Sequence, residues 1–368
     1  MEPTGRTNNR DSSSRLTFLD WTRGAAVVVM LQGHVFHSFN RTDLRTDGPF
    51  MLSQFFGGIG PAVFLVLTGI TLSFLMDRRE RQGVTALGRW GAALRRAGYL
   101  FMLAFLFRIQ LWTFAFGQSS WRDLFKVDIL NCMGFAIALM SIMAIFTTAE
   151  RVKLCAVLGL AIAAASPLVS AINWSWLPPQ ISAYFVPSYQ YFAFFPWASF
   201  IAFGISIGSI LRLVKAEQMH RVMQWGAMLG FGLILGGQYF SNMPYTVYPK
   251  SEFWLDSPWL IVIKLGVVIL VIGFAYLWNI TPLAASWSWI RQLGTTSLLV
   301  YWVHIELVYG RWFGALKENM TNVQCAVAAV VVILLMVGLS LLQRHWRDAQ
   351  VLVRSYFSYT PPRRASGD

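Results

Sequence analysis

Charge is scarce in this chain, and acid scarcer still. Of 368 residues only 13% are charged, and 17 Asp and Glu stand against 30 Lys and Arg, a net charge of +13. A water-soluble domain carries roughly a quarter charged residues, so a soluble globular protein is excluded. Sulfur is equally sparse. Cys132, Cys155 and Cys325 lie inside apolar runs at unrelated spacings, which leaves no disulfide framework and no metal-ligand pattern. There is no HExxH, no Walker loop, no GxSxG and no carboxylate cluster suited to a metal, which argues against a metalloprotease or an ATP-driven pump. The basic excess does not signal a nucleic acid partner. It sits in short loops between apolar runs, where the positive-inside rule accounts for it.

What is present is hydrocarbon. Hydrophobic residues make up 56% of the chain and the mean hydropathy is +0.51. Apolar runs of about 20 residues recur, the mark of an all-α polytopic membrane bundle. Ten spans are read: 20–40, 54–76, 94–116, 128–148, 152–172, 191–211, 224–240, 259–279, 293–313 and 323–343. The first fifteen residues are polar and no small-residue cleavage site follows the first span, so that span is expected to be retained. Basic residues alternate between the loops without a break, from Arg78, Arg79 and Arg81 through Arg151 and Lys153 to Arg344 and Arg347. Both termini are therefore expected on the cytoplasmic side. The expected division is a disordered cytoplasmic N-terminus 1–14, a membrane domain 15–345 and a cytoplasmic basic tail 346–368. The seventh span, rich in glycine, reads as a closely packed or a broken helix.

The loops opposite the basic ones are aromatic. Trp174, Trp176, Tyr184, Tyr189 and Tyr191 fall in one, and Tyr245, Tyr248 and Trp254 in another. They read as an interfacial belt or as a stacking platform for a sugar.

Few ionisable residues fall inside the spans, and each is a candidate by default because burying it in lipid is costly. Asp20 and Arg23 sit at the inner mouth of the first span, spaced to pair as i, i+3. His34 follows Arg23 by eleven residues, or roughly 16 Å of helix, near mid-depth. His304 lies halfway along another span of the same direction, so the two imidazoles meet if those helices are neighbours. Imidazole is the side chain suited to proton transfer near neutral pH. His37, one turn above His34, can take the same role. A guanidinium at the inner mouth suits a phosphate-bearing donor. Arg108 is central in the third span and needs a partner, which Asp128 or Glu306 can supply; Asp128 also reads as a helix cap, with Asn131 one turn on. Lys264 is the remaining cation at depth.

The run Phe18-Leu19-Asp20-Trp21-Thr22-Arg23-Gly24 through Gly33-His34 resembles the opening motif of the integral-membrane acyltransferases, Leu-Asp-x-x-Arg-Gly with a His eleven residues after the Arg. Within that group the chain is most similar to bacterial relatives of the heparan-alpha-glucosaminide N-acetyltransferase catalytic-domain family. Supporting stretches are Gly60-Pro61-Ala62-Val63-Phe64, Asp128-Ile129-Leu130 with Gly134, Phe195-Pro196-Trp197 ahead of Gly204 and Gly208, and Leu293-Gly294-Thr295 through His304. The resemblance implies transfer of an acyl group, typically acetyl from acetyl-CoA or another acyl-CoA as co-substrate at the cytoplasmic face, with no bound cofactor. The acceptor implied is a sugar or glycolipid reached from the other side of a bacterial inner membrane. Arg23, with Asp20 and Arg108, becomes a donor-binding candidate, His34 the base or nucleophile, and His304 its counterpart in the late motif. Eukaryotic lysosomal members place their proposed catalytic histidine further along, and here no His follows His37 in that region, so His34 and His37 both stand. A proton-coupled transporter using the same buried groups is the alternative, and association as a homodimer is left open.

Overall fold

The computed structural model describes residues 8–357 apart from 116, 118 and 283–285; of the expected terminal segments, 1–7 and 358–368 lie outside these described residues. It is an all-α polytopic membrane bundle. Each of the ten expected spans is helical, and among the described residues there is no strand beyond one isolated bridge, Asn40 with Met320. In chain order the helices are α1 (Asn8–Phe39), α2 (Gly48–Gly57), α3 (Gly60–Arg81), α4 (Ala86–Phe114), α5 (Ile129–Met140), α6 (Thr148–Ala171), α7 (Pro179–Ser182), α8 (Phe194–Leu213), α9 (Met219–Ser241), α10 (Pro258–Asn279), α11 (Trp289–Thr295), α12 (Ser297–Tyr309) and α13 (Asn322–Phe357). Among the described residues six segments are long and apolar enough to cross a membrane: 48–81 (α2 with α3), α4, α6, α8, α10 and 322–348 of α13. The spans read at 128–148 and 293–313 are each split. The first continues from α5 into a 3-10 turn, Ser141–Ile145, and the second breaks at Thr296 between α11 and α12.

Local chemistry sets the helix ends. Pro49 and Pro61 sit in the first turns of α2 and α3, where a missing N–H costs nothing. Thr147 and Glu150 form a capping box on α6, and Asp128 with Asn131 forms one on α5. The seventh span is not broken: α9 is continuous, and its Gly230 meets the Gly266 carbonyl of α10. Glycine there serves close packing.

The core is α8 against α3 and α6. Gly69 and Gly204 let α3 and α8 cross backbone to backbone, since a Cβ on Gly69 would stand 2.8 Å from the Gly204 Cα. Ser73 and Ser209 hydrogen-bond beside that crossing at 2.9 Å. At the basic end a charge network locks the same three helices. Arg212 Nε meets Asp77 Oδ2 at 2.6 Å, Arg81 joins the same carboxylate, and the fully buried Arg151 reaches Glu80 at 3.0 Å and donates to the Phe146 carbonyl at 2.7 Å. Each cation thus has an anionic partner, which is the condition for burying it, while the Arg151 Nε is left without a hydrogen-bond partner.

Candidate active site

The site begins with two glycines. A Cβ on Gly24 of α1 would collide with the Ile290 carbonyl of α11, and one on Gly294 of α11 would collide with the Asp20 carbonyl of α1. Only glycine permits so close a crossing, so the Arg-Gly of the early motif and the Leu-Gly-Thr of the late one interlock. From that crossing the chain runs ten residues to His34 on one side and ten to His304 on the other. The first run, unbroken helix, rises about 15 Å, and the two imidazoles arrive at the same depth. His34 Nδ1 lies 2.9 Å from His304 Nε2, with the rings near-parallel at 13° and centroids 5.2 Å apart.

Their tautomers follow from one further contact. His304 Nδ1 is 2.8 Å from the Val300 carbonyl. A carbonyl only accepts, so Nδ1 carries the hydrogen and, in the neutral ring, Nε2 is an acceptor. His34 therefore donates from Nδ1 to His304, which leaves its own Nε2 with a lone pair. His304 is fully buried, whereas His34 lines a cavity.

That cavity measures about 840 Å³ and runs between α1, α3, α4, α5 and α12. Arg23, Arg96, Tyr99 and Ser297 line its basic end; Met30, Phe64, Phe107 and Tyr301 line its middle with His34; Arg108, Asp128, Gln190, Glu306 and Tyr309 line the opposite end. One conduit thus holds both Arg23 and His34. Arg23 Nη1 binds Asp20 Oδ1 at 2.9 Å, as the i, i+3 spacing predicts, while Asp20 itself stays off the cavity wall. The break at Thr296 is pinned by α13, through a 2.6 Å hydrogen bond between the Thr296 and Ser340 hydroxyls, and this puts Ser297 on the wall.

The other candidates divide. Arg108 finds Asp128, Nε to Oδ2 at 3.3 Å, both largely buried; the two atoms attract as an ion pair without hydrogen-bond geometry. Asp128 also caps α5 by accepting from the Asn131 N–H at 3.0 Å, so both readings of it hold. Asn131 donates to the Tyr184 hydroxyl at 3.3 Å. His37 is exposed, off the cavity wall, with Nδ1 3.2 Å from the Tyr309 hydroxyl. Lys264 lies over the Trp197 ring, 5.0 Å from its centroid, outside the cavity. No group of three or more His, Cys, Asp or Glu that could hold a metal occurs among the described residues.

Rings of the first aromatic loop contact one another, as do two on the helices that flank the second, while Tyr245 of the second is exposed. Trp174 stacks on Trp176 and on Phe185, and Phe240 on Trp259. Gln190 and Phe192 alone extend from the first loop to the cavity. That loop is clasped to the second by the Tyr189 hydroxyl donating to Glu252; desolvation and this carboxylate push the hydroxyl up to about 12. Sequence reasoning did not single out Arg96, Tyr301 or Tyr309. The signal was present for two of them, since Tyr301, Ile305 and Tyr309 recur every four residues as a stripe on α12.

Residues 15–238 match the family model described as heparan-alpha-glucosaminide N-acetyltransferase, catalytic. No curated protein matches the chain. The matched stretch covers more than half of the sequence and takes in Arg23, His34, Arg108 and Asp128, ending before His304 and Glu306. The chain therefore belongs to the heparan-alpha-glucosaminide N-acetyltransferase catalytic-domain family and is a multi-pass membrane protein of acetyltransferase type.

Proposed function

We propose that the protein moves an acetyl group from acetyl-CoA, entering at the basic, cytoplasmic end of the cavity, to a hydroxyl or amine of a sugar-containing acceptor entering from the opposite end of a bacterial inner membrane. The observation that carries this reading is the single cavity shared by Arg23 and the bare Nε2 of His34.

Arg23 holds donor phosphate through its planar fork, oriented by Asp20. Arg96 lies at the same mouth and adds a second cation. The pantetheine arm is narrow enough to follow the apolar middle of the cavity past Met30 and Phe64, which brings the thioester to His34. Nε2 takes the proton of the acceptor hydroxyl or amine as its oxygen or nitrogen attacks the thioester carbonyl. The C–S bond then breaks, and the proton passes from Nε2 to the departing thiolate. His304 fixes the His34 tautomer throughout and never needs to exchange its own hydrogen. Proton transfer of this kind contributes about 10²–10⁴-fold to rate.

The test is release of free thiol by purified protein given acetyl-CoA, compared with His34→Ala. Turnover that falls by about 10²-fold or more in the variant supports the reading. Wild-type protein that neither binds nor turns over acetyl-CoA refutes it. Proton-driven uptake of a labelled solute into proteoliposomes without donor would favour a transporter instead.

A further inference from the structure

Glu306 is a carboxylate on the cavity wall that pairs with no cation among the described residues. It is 8% exposed, and its Oε2 is buried without a hydrogen-bond partner. The nearest expectation, an ion pair with Arg108, is not met, because Arg108 goes to Asp128. Its other oxygen is committed: Oε1 accepts from the Trp312 indole N–H at 3.1 Å. The chain doubles back to allow this at Gly310, where a Cβ would collide with the Glu306 carbonyl and crowd its carboxylate. The fold thus fixes the carboxylate by one oxygen and leaves the second buried without a partner in a side chain that lines the cavity. On α12 the stripe Tyr301, Ile305 and Tyr309 faces the cavity squarely. His304 lies to one side of that stripe, against α1, and Glu306 to the other, where Trp312 rests on Phe114 of α4.

An unpartnered buried acceptor atom costs about 1–3 kcal/mol, a cost a ligand with a matching donor removes. We propose that Glu306 is an acceptor-specificity residue: its Oε2 accepts a hydrogen bond from an amine or hydroxyl of the sugar, next to the group acylated at His34. The acceptor is then a neutral or amino sugar at this position, and an acidic sugar is turned away. This inference rests on the acetyltransferase reading above.

The test uses full-length protein in proteoliposomes with acetyl-CoA and, as acceptor probes, methyl glucosaminide, methyl glucoside and methyl glucuronide. Glu306→Ala is expected to raise KM for the better neutral or amino probe by between about ten- and a hundred-fold, the loss of one hydrogen bond to a charged group, with KM for acetyl-CoA moving less than about twofold. Trp312→Phe, which frees Oε1 and leaves the carboxylate in place, is expected to raise the same KM by a smaller factor and keeps the test informative if Glu306→Ala fails to fold. Equal shifts in both substrates' KM, an unchanged acceptor KM in both variants, or wild-type preference for the glucuronide overturns the proposal. So does wild-type protein that hydrolyses acetyl-CoA yet transfers to none of the three, and that result leaves the acetyltransferase reading standing. Absence of any reaction with acetyl-CoA overturns the reading itself.

Discussion

Replacing His304 by alanine should damage catalysis without removing any group that touches substrate. In the native site the His304 Nδ1 hydrogen is committed to Val300, so Nε2 must accept from His34. Alanine removes the acceptor that the His34 Nδ1 hydrogen uses. That unmet donor costs about 1–3 kcal/mol, and the ring relieves it by shifting the hydrogen to Nε2, where it blocks the lone pair that serves as base. At 1.36 kcal/mol per decade, kcat should fall by about ten- to a hundred-fold, less than the 10²–10⁴-fold expected for His34→Ala. His304→Gln places a carbonyl within reach of His34 Nδ1 and should recover part of the loss. The assay is acetyl transfer at saturating donor, with thermal unfolding in detergent to confirm folding. A His304→Ala enzyme within twofold of wild type would refute the tautomer argument.

Four further outcomes follow from the same geometry. Gly294→Ala drives a methyl into the Asp20 carbonyl and should cost about 1–3 kcal/mol or more, seen as a lower Tm and loss of activity together. Asp128→Asn strands the buried Arg108 cation and should destabilise by about 3–5 kcal/mol, with a double Arg108→Met, Asp128→Leu variant recovering much of that Tm. Arg23→Ala should raise KM for acetyl-CoA about tenfold or more, with Arg23→Lys intermediate because an ammonium lacks the planar fork. Arg151→Met should lower Tm by breaking the basic-end network while leaving KM for acetyl-CoA within about twofold, since that network does not reach the cavity.

Much of this site is written in local patterns. The two histidines are legible because each follows a glycine by ten residues on helices of the same direction, and period and rise set their depth. Asp20 with Arg23 is legible for the same reason, as a spacing along one helix. The Arg108 partner was reduced to two carboxylates but not decided, because the choice depends on how α4 packs against α5 and α12, and no periodicity encodes that. The break at Thr296 was missed. Thr295, Thr296 and Ser297 fall inside the span read as 293–313, and the Ser340 hydroxyl that holds the break arrives from α13. The glycines of the seventh span read as close packing or as a break, and the contact with α10 decides for packing, since a small residue marks close approach as readily as a weak helix. The basic-end network was hidden for a different reason: Asp77 and Glu80 sit among arginines that the positive-inside rule already explains.

The Val300 carbonyl has a consequence beyond orienting two rings. A peptide oxygen cannot hand on a hydrogen, so the pair of imidazoles is a wire with a sealed end. It stores one proton at a time and returns it through the face that received it. A relay that carried protons along the two rings would need that end open; in the transfer proposed above the proton makes a round trip, which is what a transferase asks of its base.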